Sequence, residues 1–177
     1  MYVQSGATPI RFAFKFVLAF AVLIGAFEAS RGSAFETFLV EKLILVPTVA
    51  LIDAASPSEH VHLIGRSIVS PTSKLNVTRG CEGVEMFLLL FAGILAYPAD
   101  WRRKAQGLLL GSILAYALTV TRLMALHHVL QFSPRAWEAL HGLVLPLGPV
   151  AVIALYFFRW SGEGTPATQF EPRARAH

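Results

Sequence analysis

Three side chains that can take part in acyl transfer lie near the ends of apolar segments. Cys81, the only cysteine in 177 residues, stands in "NVTRGCEGVEMFLLL", just before one such segment. Arg122 lies late in the next apolar segment, and His141 lies early in the one after it. A thiolate is a nucleophile, a histidine can protonate a leaving amine, and an arginine can hold a developing oxyanion. If the segments pack side by side, these residues form a Cys/His/Arg acyl-transfer site.

Each of these residues also has a simpler interpretation. A single cysteine without a disulfide partner can be an inert buried thiol. An arginine in an apolar helix can extend to the membrane interface or pair with Glu82 or Glu85, and His141 can be a neutral histidine hydrogen-bonded in a helix bundle. The positive end of the following helix and Arg79 favour the Cys81 thiolate, whereas Glu82 and Glu85 oppose it unless they are paired.

The composition indicates that the elements positioning these residues lie in a membrane. Hydrophobic residues make up 55% of the chain and charged residues 15%, and the mean hydropathy is +0.58. These values exclude an ordinary soluble domain. The net charge of +4 does not indicate nucleic-acid binding, because the basic residues form short clusters at the ends of apolar segments. We predict a single integral membrane domain over residues 1–160 and a flexible, polar cytoplasmic tail over residues 161–177.

Four apolar runs predict an all-α membrane protein with about four transmembrane helices. The first run is interpreted as a retained spanning helix rather than a signal peptide, because no cleavage site followed by a polar domain is evident. With four spans, the basic clusters at Arg11, in "WRRK" and after "FFRW" all lie on the cytoplasmic side, as the positive-inside rule requires. Cys81, Arg122 and His141 then share the outer side. The four runs are 12–27, 84–98, 107–126 and 140–158.

The chain between the first two spans is predicted to lie outside the hydrocarbon core. Charged residues confine the apolar part of the segment from Ala34 to Ala55 to Leu43–Ile52, which is too short to span. We therefore predict an interfacial helix kinked at Pro47. The β-branched residues and the "SPTS" turn that follow predict a small extracytoplasmic β-hairpin before Cys81.

The order of the reactive residues resembles that of the exosortase/archaeosortase family of membrane transpeptidases. The resemblance rests on Cys-x-Gly at the start of one helix, Arg late in the next helix, and His-Gly early in the helix after that. It covers roughly residues 47–160, and the short chain looks like a minimal member, similar to the exosortase H type. Family members often have Asn three residues before the arginine. This chain has Thr119 there, so the orientation of Arg122 is less secured.

The resemblance implies a cysteine-dependent peptidase/transpeptidase in the plasma (inner) membrane, with its active site on the extracytoplasmic side. Its substrates would be exported proteins with a C-terminal sorting signal, made of a short motif, a transmembrane helix and a basic tail. Cys81 would cleave at the motif and hold an acyl-enzyme, Arg122 would stabilise the oxyanion or the thiolate, and His141 would shuttle the proton. The acyl group would pass to an envelope glycan or lipid, or to water. No cofactor or metal is expected.

Two other functions stay open on the sequence alone. In a non-catalytic membrane assembly protein, Cys81 would be inert and Arg122 would be an anchor. In a haem-binding membrane protein, His127, His128 and His141 would supply ligands from two helices, although adjacent histidines direct their rings differently. Outside that haem hypothesis, His127 and His128 are expected in a solvated turn where their helix reaches water.

Overall fold

The computed structural model describes residues 9–78, 80–132, 142 and 144–162, with the backbone alone at 132 and 146. The long elements are helices α1 (Pro9–Ala29), α4 (Val84–Ala96), α5 (Trp101–Phe132) and α6 (Leu145–Gly162). Between α1 and α4 lie α2 (Ala34–Thr37), a π-helical segment (Phe38–Leu45), α3 (Val46–Ala55), a 3-10 helix (Pro57–Glu59) and strands β1 (His62–Ile64), β2 (Ser67–Val69) and β3 (Lys74–Asn76). The described chain is therefore mostly helical, as predicted, with one small sheet.

Two of the helices have the length and hydropathy of membrane spans. The mean hydropathy is 2.1 for Pro9–Ala29 and 1.7 for Trp101–Gln131. Helices α4 and α6 are apolar but shorter. At about 1.5 Å per residue, α4 extends roughly 20 Å, whereas the hydrocarbon core of a bilayer is about 30 Å thick and α5 extends roughly 48 Å. Two candidate spans are thus found in the described part of the chain, and the predicted total of four is not confirmed.

The four apolar helices place their termini at two common ends. The ring of Phe12, near the start of α1, lies 6.3 Å from that of Tyr97 after α4 and 6.1 Å from that of Phe157 late in α6. Arg103, near the start of α5, donates to the carbonyl of Trp160, and its guanidinium lies 5.0 Å from the Trp160 ring centroid. The starts of α1 and α5 therefore meet the ends of α4 and α6. We call this the basic end, and the opposite one the Cys81 end.

The segment from α2 to α3 is helical over Ala34–Ala55, as predicted, with a π-helical stretch in its middle. Ser33 caps its start, because the Ser33 side chain accepts a hydrogen bond from the Glu36 N–H. The wider π-helical turns come immediately before α3, which carries Pro47 in its first turn. Proline lacks an N–H, and its ring clashes with the carbonyl four residues earlier in a regular α-helix, so the wider turns accommodate it. The location of this segment at the membrane interface stays a prediction.

The sheet contains one strand more than the predicted hairpin. Its strands are antiparallel in the order β1-β2-β3. The "SPTS" sequence forms the β2–β3 turn as predicted, and the Ser70 N–H donates to the Ser73 carbonyl at 2.9 Å. The β1–β2 turn contains Gly65 with a φ of +58°. The hairpin prediction was centred on the "SPTS" turn between β2 and β3, so it did not include β1 on the other side of β2.

An apolar core at the Cys81 end joins the sheet to the helices. Ile68 of β2 is fully buried in it, together with Leu123 of α5. Cys81 belongs to the same core, and Leu145 at the start of α6 packs against it. The start of α6 therefore lies at the end of the bundle that holds the cysteine.

Candidate active site

Cys81 lies in a tight turn that leads directly into α4. We call residues 80–83 the Cys81 turn. The Cys81 N–H donates to the Thr78 carbonyl at 3.0 Å. Gly80 and Gly83 have φ angles of +81° and +79°, a left-handed conformation in which a Cβ would collide with the backbone. The Cys81 residue is 8% exposed. The thiol is thus held at the edge of the core by a backbone shape that depends on glycine.

Gly83 brings the Cys81 turn into direct contact with α5. A Cβ built on Gly83 would lie 2.6 Å from Thr119 Oγ1. Thr119 is fully buried, and its hydroxyl donates to the Ala115 carbonyl at 2.8 Å, so rotating it away would break that bond. Thr119 and Arg122 lie three residues apart and share a face of α5. Thr119 therefore sets the distance between the Cys81 turn and the helix face that carries Arg122.

Gly83→Ala is expected to lower the free energy of unfolding by about 2 to 5 kcal/mol. A left-handed non-glycine residue costs roughly 1–2 kcal/mol, and overpacking against Thr119 costs roughly 1–3 kcal/mol more. Thermal unfolding in detergent measures the loss. Gly80→Ala is the matched control, because Gly80 has the same left-handed conformation and no atom within 4 Å of a built Cβ. Equal stability of the two variants would contradict this account, as would a Gly83→Ala protein that Thr119→Ala does not partly restore.

Arg122 is buried and reaches the Cys81 turn from α5. It is 7% exposed, and its Nη1 donates to the Gly80 carbonyl at 3.5 Å. Its Nε has no hydrogen-bond partner among the described residues. Glu82 instead pairs with Arg31 and Arg66, and no ion pair joins Arg122 to Glu82 or Glu85 in the described chain. The simpler interpretation of Arg122 as an ion-pair partner of Glu82 or Glu85 therefore does not describe its position here.

Glu82 belongs to a closed ring of alternating charges beside Cys81. Arg31 Nη1 lies 3.3 Å from Oε1 of both Glu82 and Glu36. Arg66 completes the ring, with Nη1 at 3.1 Å from Glu82 Oε1 and Nη2 at 2.9 Å from Glu36 Oε1. We call Arg31, Glu36, Arg66 and Glu82 the charge ring. Glu28 binds Arg31 from outside the ring, at 2.9 Å.

The surroundings of the charge ring shift its two carboxyl groups in opposite directions. Burial raises the pKa of Glu82, which is 0% exposed, although the nearby Arg31 and Arg66 lower it. The Gly32 N–H and the Arg66 side chain hold the pKa of Glu36 below its usual value. The hydrogen bond from Arg31 to Glu28 raises the pKa of Arg31, so this guanidinium stays charged. Glu82 therefore carries the main desolvation cost of the ring.

His127 does not lie in a solvated turn, so that expectation was wrong. Helix α5 continues to Phe132, and His127 is 0% exposed. Its Nε2 lies 3.0 Å from Glu59 Oε2, which also accepts a hydrogen bond from Gln131 Nε2 at 2.8 Å. Gln131 Nε2 also donates to Ser70 Oγ at 3.2 Å. This cluster ties the 3-10 helix and the β2–β3 turn to the end of α5.

Glu59→Gln is expected to destabilise the protein at neutral pH and to matter less in acid. The Gln131 and His127 side chains hold the pKa of Glu59 below its usual value of 4.5. A carboxyl group with a lower pKa in the folded state stabilises the fold above its unfolded pKa, and this contribution disappears as the pH falls through the folded pKa. The melting temperature of the wild type should therefore exceed that of the variant at pH 7, and the difference should shrink below pH 4.5. A difference that stays constant from pH 7 to pH 3 would contradict the assignment.

His141 lies outside the described residues, as do Arg79 and the tail from 163 onward. The structure therefore brings Arg122 to the Cys81 turn through Gly80, and the predicted place of His141 stays an expectation. His141 precedes Leu145 by four residues in the sequence, and Leu145 packs at the Cys81 end.

The histidines of α5 are not arranged as an open ligand set. His127 is fully buried and engaged by Glu59, and His128 Nδ1 lies 2.8 Å from the Met124 carbonyl. No group of three or more His, Cys, Asp or Glu side chains suited to a metal ion occurs in the part of the chain that the structure describes.

Sequence reasoning missed the charge ring. Arg31 and Glu82 are 51 residues apart, and Arg66 and Glu82 are 16 apart, so no helical spacing links them. One local signal was present: Ser33 and Glu36 have the spacing of a helix-capping box. That signal predicts the start of α2, but it does not reveal the partners of Glu36.

The described part of the site combines a thiol with a nearby guanidinium, two groups that can take part in acyl transfer. The thiol of Cys81 is a potential nucleophile, and the Arg122 guanidinium beside its turn retains an unpaired N–H donor among the described residues. A guanidinium in a water-poor site can hold negative charge that develops on a substrate carbonyl oxygen.

Comparison with known proteins identifies a family over most of the chain. A family model described as transmembrane exosortase matches residues 5–158. That range contains Cys81, Arg122 and His141. No curated protein and no solved structure matches the chain.

Proposed function

Because the chain belongs to the transmembrane exosortase family, we propose that it is a membrane-embedded cysteine transpeptidase/protease. It cleaves the C-terminal sorting signal of exported proteins at the extracytoplasmic face of the plasma membrane. It then transfers the cleaved protein to an envelope acceptor, a glycan or lipid, or to water. Cys81, Arg122 and His141 are the proposed catalytic residues.

The position of Arg122 against the Cys81 turn carries this proposal. A buried arginine in an apolar helix is costly and calls for a partner or a function. In the described chain, this one makes a 3.5 Å hydrogen bond to Gly80 and no ion pair with the nearby Glu82. An anchor would instead place its guanidinium in water or on a carboxylate. The geometry supports a guanidinium held ready for charge on a substrate.

The proposed reaction forms and breaks one bond at each stage. The Cys81 thiolate attacks the scissile carbonyl carbon, and the carbonyl electrons move to its oxygen, where Arg122 stabilises them. Collapse of this intermediate breaks the C–N bond, and His141 supplies the proton that the leaving amine takes up. The acyl group remains on Cys81 as a thioester. An acceptor hydroxyl or amine, or water, then attacks the thioester carbonyl carbon and the C–S bond breaks. The proton of the attacking group passes to His141, which restores the thiolate and the protonated histidine.

The bilayer contributes to substrate recognition. A substrate helix in the same membrane is confined to two dimensions, which raises its effective concentration at the site. A basic substrate tail on the cytoplasmic side would fix the depth of that helix and present the cleavage motif at the outer side. If the basic end of this bundle is cytoplasmic, it lies on the same side of the membrane as the basic tail of the substrate, and Cys81 lies on the same side as the cleavage motif. Recognition then needs few polar contacts.

Co-expression with a reporter tests the proposal. The reporter is an exported protein ending in a sorting signal from the same genome: a shared motif, an apolar helix and a basic tail. We expect the wild-type protein to shorten this reporter and to leave unchanged a control reporter whose motif is scrambled. The proposal would be contradicted if reporters carrying each such signal of the genome all stayed full length while the protein was folded and inserted in the membrane. That result would favour an assembly role.

A further inference from the structure

The charge ring connects the Cys81 turn to three other segments at the same end of the bundle. Arg31 lies in the loop between α1 and α2, Glu36 in α2, and Arg66 in the β1–β2 turn. Glu82 is the member inside the Cys81 turn, directly after the cysteine. The shortest distance in each of the four ring ion pairs is between 2.9 and 3.3 Å. Through the Glu82 side chain, the turn is thus tied to the α1–α2 loop, to α2 and to the sheet.

The charge ring is not explained by a contribution to the stability of the fold alone. Removing charged groups from water costs about as much as their mutual attraction returns, so well-packed apolar residues are often equally stable in their place. Glu82 is 0% exposed and Glu36 3% exposed, so both pay that desolvation cost. A closed ring does fix geometry, because each guanidinium binds two carboxylates and each carboxylate binds two guanidiniums. What the ring supplies beyond packing is a defined position for the residue next to Cys81.

The Cys81 turn is held from its other side by α5. Gly83 contacts Thr119, and the Gly80 carbonyl accepts from Arg122. Glu82 opposes these contacts from the ring, so the turn lies between α5 and the charge ring. The ring also reduces the repulsion between the Glu82 carboxylate and a Cys81 thiolate. A lone Glu82 carboxylate would oppose a neighbouring thiolate, and its pairing with Arg31 and Arg66 reduces that opposition, although Glu28 and Glu41 contact the same two guanidiniums from outside the ring.

We propose that Glu82 is a positioning residue, which holds Cys81 in register with Arg122 through the charge ring formed with Arg31, Glu36 and Arg66. This inference rests on the proposed function. In this proposal, Glu82 contacts neither the substrate nor the reacting atoms. Its contribution is the placement of the thiol, and a misplacement of about 1 Å can cost up to about 100-fold in rate.

Glu82→Gln and Glu36→Gln form a matched pair for the test. Each removes one carboxylate charge from the ring with little change of shape, but only Glu82 lies in the Cys81 turn. We expect Glu36→Gln to lower the melting temperature more than Glu82→Gln does, because the pKa of Glu36 is held below its usual value whereas burial raises that of Glu82. We expect Glu82→Gln to lower kcat for the sorting-signal reporter by roughly 10- to 100-fold with KM unchanged, and Glu36→Gln to lower kcat far less. Equal kcat values for the two variants would show a purely structural ring and overturn the proposal.

Alkylation of Cys81 by iodoacetamide gives a readout that needs no substrate. The chain has one cysteine, so all label reports that thiol. Replacing Glu82 with glutamine loosens the turn and removes the carboxylate next to the sulfur, and both changes make the thiol more reactive. We therefore expect alkylation at pH 7 to be at least about threefold faster in Glu82→Gln than in Glu36→Gln. Slower processing together with faster alkylation in Glu82→Gln would indicate a displaced thiol. Equal alkylation rates in the two variants would contradict the proposed role of Glu82.

A second variant and a comparison with Cys81→Ala complete the test. If Glu82→Gln does not accumulate, Arg66→Gln replaces it, since the Arg66 side chain is 32% exposed and its loss leaves Arg31 on Glu82. The same fall in kcat at constant KM is expected, and its absence would overturn the proposal. Normal processing by Glu82→Gln beside an inactive Cys81→Ala would overturn this inference alone. Normal processing by both variants would overturn the proposed function.

Discussion

Replacing Cys81 with alanine is expected to stop processing of the sorting-signal reporter, a loss of at least about 10⁴-fold. Alanine has no atom that can attack the scissile carbonyl or carry the thioester, and no second cysteine in the chain can substitute. Unprocessed reporter should accumulate in the membrane. Gel mobility and mass of the reporter measure the outcome.

The Cys81→Ala protein should remain folded and inserted, so the loss would be chemical. Cys81 is a small side chain at the edge of the core, and the turn around it is built from backbone contacts at Gly80 and Gly83. Melting temperature and membrane extraction check this. Cys81→Ser is the matched control, because it keeps the shape and supplies a much weaker nucleophile, and it should be nearly as inactive. Normal processing by folded Cys81→Ala would exclude sulfur chemistry.

Arg122→Gln is expected to lower kcat of the reporter reaction by roughly 10²- to 10³-fold, the usual effect of removing one donor to an oxyanion. The glutamine cannot supply the positive charge that the tetrahedral intermediate attracts. The effect on stability should be small, because the structure shows one 3.5 Å hydrogen bond from the guanidinium and an unpartnered Nε among the described residues. Turnover and thermal unfolding, measured on the same sample, separate the two effects.

Arg122→Lys and Arg103→Gln are the controls for this prediction. Lysine keeps the charge but loses the planar fork of donors, so Arg122→Lys should recover part of the rate. Arg103 lies at the basic end, where it binds the Trp160 carbonyl and ring. Its replacement should lower the melting temperature and leave turnover unchanged. The account is contradicted if Arg122→Gln processes the reporter normally, or if Arg103→Gln slows turnover as much as Arg122→Gln does.

The grouping of helix ends could be predicted from the sequence. Apolar runs and basic clusters fix the direction of each helix, and this correctly placed Arg122 of α5 at the same end as Cys81. Span length was less predictable. The apolar run from Val84 was expected to continue to Pro98, but α4 ends at Ala96 and the chain is extended at Tyr97, ahead of the proline.

The side-chain partners at the site could not be predicted, because they depend on contacts between distant segments. Arg122 was weighed as a partner of Glu82, yet Glu82 pairs with Arg31 and Arg66. His127 was expected in water because the apolar run before it ends near Leu126. Helix α5 instead continues past that point, and Glu59 from the 3-10 helix packs onto His127. Hydropathy reports where a helix leaves the lipid, but it does not report what covers the helix beyond that point.

The central claim is that the sulfur of Cys81 carries the acyl group of the substrate, and a mass measurement on the protein during turnover tests it most directly. Rapid acid quenching with the sorting-signal reporter, followed by digestion, should reveal a Cys81 peptide that bears the substrate acyl group as a thioester and loses it on treatment with hydroxylamine. This adduct should be absent from Cys81→Ala. Turnover without any such adduct, together with continued processing by Cys81→Ala, would contradict the account.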